Sequence, residues 1–121
     1  MDERTAERLL YLDETCAEIA LLAERGREAY DRDIAVARAC QYSIVRLAAD
    51  IERLGSGWIA AHPSVAWTLI RGMRNRIAHD YLTLDGGIVW EAVTQHVPTL
   101  REQLQADIET AKAMLSGPPD R

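Results

Sequence analysis

The stretch from Arg71 to Tyr81, Arg-Gly-Met-Arg-Asn-Arg-Ile-Ala-His-Asp-Tyr, carries Arg71, Arg74, Arg76, Asn75, His79 and Tyr81 within three helical turns' worth of chain. These side-chain types suit RNA cleavage by internal transfer. In that reaction the 2′-hydroxyl loses a proton as it attacks the adjacent phosphorus, and the leaving oxygen gains one. A histidine titrates near neutrality and can do either job. Negative charge builds on the equatorial phosphoryl oxygens, where a guanidinium can pair with it. No metal is needed for this route, and the sequence has no carboxylate cluster suited to holding one. The same residues also fit a plain solvated helix face, and spacing alone does not separate the two readings.

On a helical wheel of about 100° per residue, Ile70, Met73 and Ile77 fall together and must face a core. Arg74 and Tyr81 flank that stripe. Asn75 and His79, four apart, stack on the far side, with Arg71 one turn before Asn75. A straight helix therefore does not align Arg74 with His79. Either the helix distorts near its end, the long arginine reaches round, or a second chain completes the site. Arg71 and Arg76 are candidate phosphate contacts; a solubilising role suits Arg76 equally.

The elements that must position these residues are helical. Apolar residues at spacings of three and four (Leu9, Leu12, Cys16, Ile19, Leu22, Ala23) predict a helix from about Asp2 to Arg25, broken at Gly26. A second helix follows, capped by Asp31 or Asp33. Its stripe is Ile34, Cys40 or Gln41, Ile44, Leu47, Ala48, Ile51 and Leu54, and Gly55-Ser56-Gly57 ends it. Residues Trp58 to Ser64 read as a connector, because the residue before Pro63 is driven out of helical geometry. The third helix should run from Val65 or Trp67 to Tyr81. After a turn at Asp85-Gly86-Gly87, a short helix carries Ile88, Val89, Trp90 and Val93. Pro98 should sit in the first turn of the next helix or kink a longer one. Leu100, Leu104, Ile108, Ala111 and Leu115 continue at helical spacing. No strand-like alternation is sustained. The expectation is an all-α, single up-and-down bundle of four to five helices over residues 1–115, with a flexible tail at 116–121.

Composition agrees. The 121 residues are 48% hydrophobic and 27% charged, the balance of one ordinary globular domain. Phenylalanine is absent, so Leu, Ile, Val, Ala and three tryptophans must fill the core. The opening Met1-Asp2-Glu3-Arg4 lacks the basic-then-apolar pattern of a secretory leader, and no apolar run is long enough for a membrane helix. Cys16 and Cys40 read as free thiols in a reducing cytoplasm rather than a disulfide or a metal site. The net charge of −5 argues against a protein that coats nucleic acid. From Gly55 to Leu82, however, the charges are three arginines and one aspartate, a local net of +2 suited to touching a few phosphates. His62, His79 and His96 are too widely spaced for a zinc site. Trp67 and Trp90 read as core, Trp58 as less settled, and Asp80 as a solvated acid.

Beyond the residues themselves, the spacing Arg74-x4-His79-x-Tyr81 resembles the signature of HepT-type proteins of the HEPN superfamily. Several further features follow the same pattern in order: His62-Pro63, Trp67, Ile70, Gly72-Met73-Arg74-Asn75, Asp85, Val89-Trp90, Val97-Pro98 and Leu100. The resemblance is close over the C-terminal half and general over the N-terminal helices.

The resemblance implies a homodimer whose motifs meet in a cleft as a composite, metal-independent RNase site that needs no cofactor. Arg74 and His79 would be catalytic and Asn75 supporting. It also implies a partner, a small MntA-like nucleotidyltransferase antitoxin that silences the toxin by AMP transfer to Tyr81. The RNA substrate, tRNA or mRNA, is left open. Many relatives carry Gly-Glu-Ala on the second helix, where Ala48-Ala49-Asp50 aligns here, which puts an auxiliary carboxylate in doubt. A second reading makes the chain a non-catalytic docking partner that helps a minimal nucleotidyltransferase hold its substrate. The full Arg74-Asn75-His79 set favours the enzyme.

Overall fold

The computed structural model describes residues 1–80 and 82–117, so Tyr81 and the last four residues lie outside the described residues. Every regular element among those described is helical. Helix α1 (Glu3–Glu24) begins at Asp2, whose carboxylate accepts from the Thr5 amide at 2.7 Å. Gly26 takes a positive φ of 88°, which only glycine adopts freely. It turns the chain and at once starts a short α2 (Gly26–Arg32). Asp33, not Asp31, caps α3 (Ile34–Leu54) by accepting from the Ala35 amide at 2.9 Å.

The stretch expected as a bare connector contains a single turn, α4 (Ser56–Ala60). Helix α5 (Trp67–His79) carries the candidate site. Asp85 caps α6 (Gly86–Glu91) through the Gly87 amide at 2.7 Å. A π-turn (Ala92–His96) then joins it to α7 (Val97–Gln103), with Pro98 in the first turn as expected. Proline lacks an N–H, so the ladder cannot continue in simple α register there. The Thr94 hydroxyl donates to the Trp90 carbonyl at 2.8 Å across this widened turn. Helix α8 (Gln105–Ser116) completes the bundle.

Helix α1 is the central post, packed between α3 and α8, and α5 lies on α3. Leu9, Leu12, Ile19, Ile44, Leu47, Ile51, Ile70, Leu100, Leu104 and Ile108 are fully buried at the junctions. Each such side chain contributes about 1.5–3 kcal/mol relative to exposure. One expectation on α3 is corrected and one open choice is resolved. Ile34 is 68% exposed, because the stripe begins at Val36, and Cys40 rather than Gln41 carries it inward. Both thiols are free and buried, and burial pushes the Cys16 thiol up to about 12. Among the described residues no helix is long and apolar enough to cross a membrane.

Candidate functional site

The start of α5 is fixed by three contacts. The Trp67 indole N–H donates to the His62 carbonyl at 2.9 Å. The side-chain amide of Gln103, from α7, accepts from the Ala66 amide at 3.3 Å and donates to the Ser64 carbonyl at 3.1 Å. Behind them Trp58 stacks on His62 with ring centres 3.6 Å apart. His62 also lies 3.6 Å from Asp107 of α8, so its role is to brace the connector. Trp67 is buried in the core as expected, and Trp90 is half-buried against Tyr30.

From that anchor α5 continues unbroken to His79. Ile70 and Met73 are buried and Ile77 packs on the core's edge. The Asp80 amide still donates to the Arg76 carbonyl at 2.8 Å, so helical bonding continues past His79 without a break. Distortion near the helix end is thereby removed as a way of aligning Arg74 with His79. Five residues of regular helix leave the two about 140° apart around the axis.

Arg74 is half-buried on the α3 side. Its Nε donates to the Asn75 side-chain oxygen at 3.0 Å, and one terminal nitrogen donates to Glu52 of α3 at 3.2 Å. These contacts hold the guanidinium by two of its N–H groups and leave its remaining donors for another acceptor. Asn75, Arg76 and His79 are exposed and Arg71 is half-buried. Among the described residues no hydrogen bond or ion pair joins His79 to Arg74, and Arg71 and Arg76 form no ion pair. Asp80 is exposed, the solvated acid expected.

Glu52 is the residue that sequence reasoning missed. Asp50, the acid within Ala48-Ala49-Asp50, is only 3% exposed and accepts from the buried Thr15 hydroxyl at 2.6 Å. Two residues on a helix are separated by about 200°, so Asp50 faces α1 while Glu52 faces α5. The structure thus sets a carboxylate beside Arg74 at Glu52, one turn beyond Ala49.

The arrangement is a surface ridge. The concavity beside α1 and α7, about 300 Å³ and lined by Cys16, Ile19, Val97, Pro98 and Arg101, includes no residue of α5. No group of three or more His, Cys, Asp or Glu side chains is gathered for a metal among the described residues. Such a site can pair with phosphate through guanidinium and amide groups and move protons through an imidazole.

Fold and site together define a class: an all-helical bundle presenting an arginine, an asparagine and a histidine on one exposed helix. The chain matches the Ribonuclease HepT-like family model over residues 12–106, a span that contains all of α5, and it belongs to that family. A relative from Caldanaerobacter subterraneus subsp. tengcongensis, provisionally named an RNase, is 26% identical over 106 residues, covering 84% of this chain and 95% of that protein. A relative from Thermococcus cleftensis, provisionally named ribonuclease HepT, is 23% identical over 99 residues, covering 78% of this chain and 90% of its own. No solved structure matches the chain. Membership of this family supports ribonuclease activity.

Proposed function

We propose that the chain is a metal-independent RNA endonuclease, the cytoplasmic toxin of a type II-like toxin–antitoxin pair, working as a homodimer. The observation that carries this reading is the state of α5: Arg74 is pre-oriented by Asn75 and Glu52, while His79 stands exposed on the same helix. The 2′-oxygen forms a bond to phosphorus as the bond to the 5′-oxygen breaks. His79 takes the proton from the 2′-hydroxyl or gives one to the leaving oxygen, and Arg74 neutralises the phosphorane. The products are a 2′,3′-cyclic phosphate and a 5′-hydroxyl. The purified chain should cleave total RNA in the presence of EDTA and leave cyclic phosphate ends. Failure of the wild type to cleave would hand the site to the docking-partner reading.

The angular gap, with Arg74 drawn toward Glu52 of α3, supports the homodimer. The regular turns of α5 hold His79 and Arg74 on different sides of the helix within one chain, and a second copy would bring the two types of residue together across a cleft. Sedimentation at micromolar concentration should show a dimer, and a stable monomer there would overturn this part of the proposal.

Silencing is assigned to Tyr81, two residues beyond His79. A nucleotidyltransferase partner transfers AMP from ATP to the tyrosine oxygen and releases pyrophosphate, which sets bulk and negative charge beside the RNA site. After co-expression with that partner, mass spectrometry should find one or more AMP groups on Tyr81. An adduct on Tyr11, Tyr30 or Tyr42 instead would refute the assignment.

A further inference from the structure

Gly72 sits in the interior of α5, where glycine costs about 0.5–1 kcal/mol relative to alanine. Its backbone gives no reason for that cost. It is helical and is not among the glycines of positive φ. A Cβ built on it would meet nothing within 4 Å, so the fold itself does not require the missing side chain. No contact within the bundle accounts for it.

Position on the helix says what comes there. Thr68, Gly72, Asn75 and His79, at spacings of four, three and four, form the outermost line of α5, and all four are exposed. Gly72 and His79 are seven apart, within about 20° of one line and about 10 Å along the axis. Arg71 and Arg76 stand on either side of that line. The notch is thus flanked by cations, bordered by small polar groups and aimed at the proposed proton-transfer residue. A polyanion would be drawn between these two arginines.

We infer that the sugar–phosphate backbone of the RNA crosses α5 over Gly72 on its way to His79, and that the missing Cβ is the clearance that lets it lie against the helix. Gly72 is in this sense a positioning residue, and the inference rests on the nuclease reading above. The phosphate next to the scissile one lies between Arg71 and Arg76, while the scissile phosphate sits farther along, at His79.

Gly72→Ala separates this from a structural role, because the two predict opposite signs. The variant should melt at a higher temperature than the wild type, as helix propensity dictates. It should nonetheless lose roughly tenfold to a hundredfold in kcat/KM on unfractionated RNA, since misplacement of about 1 Å at a reacting centre costs up to that much. Gly72→Leu should lose more. The salt dependence of binding should keep its wild-type slope, because every cation remains. If Gly72→Ala cleaves like the wild type, the inference is wrong and the nuclease reading stands. If it instead changes the sedimentation coefficient, Gly72 belongs to a contact between chains and the RNA path is elsewhere. If the wild type does not cleave, both readings fall together.

Discussion

Replacing His79 with alanine is expected to abolish RNA cleavage while leaving the bundle folded. The ring is exposed at the last residue of α5 and forms no hydrogen bond among the described residues, so the core does not depend on it. Substitutions at such positions usually change stability by less than about 0.5 kcal/mol. Loss of general acid–base help, by contrast, costs about 10²- to 10⁴-fold in rate. Circular dichroism melts and RNA cleavage should be measured on the same preparation, free of any partner. Equal cleavage by wild type and His79→Ala would remove the histidine from the mechanism.

Arg74→Ala should be nearly as damaging, by about 10²- to 10³-fold, the usual loss when one charge-stabilising donor leaves a transition state. Its pair with Glu52 is partly solvated, and such pairs contribute about 0–1 kcal/mol, so activity should fall far more than stability. Arg74→Lys should not restore the rate. An ammonium lacks the planar fork that meets Asn75, Glu52 and a phosphate at once. Glu52→Gln keeps an acceptor for Arg74 and should lose less than either change at position 74. Full activity in Arg74→Lys would reduce the arginine to a bulk positive charge.

The long helices were legible because their apolar residues recur every three or four positions over many turns. Helices α2 and α4 were not, because seven and five residues are too few to establish a period. In the sequence Gly26 marks an ending, and its positive φ makes it a beginning as well. Arg74, Asn75 and His79 stand out as candidates from side-chain chemistry and from the family pattern. The placement of Glu52 was not. Which side of α3 meets α5 is decided by tertiary packing, and a two-residue difference along a helix exchanges opposite faces. Gly72 lay within the recognised stretch, but only the open space around it gave the residue a meaning.

Both native cysteines are sealed inside the bundle, and the Cys16 thiol is held far from its reactive thiolate form by its apolar surroundings. Thiol-directed probes therefore have no native target while the chain is folded. A single cysteine introduced at exposed Thr68 would carry a spin label selectively without first removing Cys16 and Cys40. In the proposed homodimer, dipolar spectroscopy on such a sample would read the distance between the two copies of α5 in solution, with and without RNA.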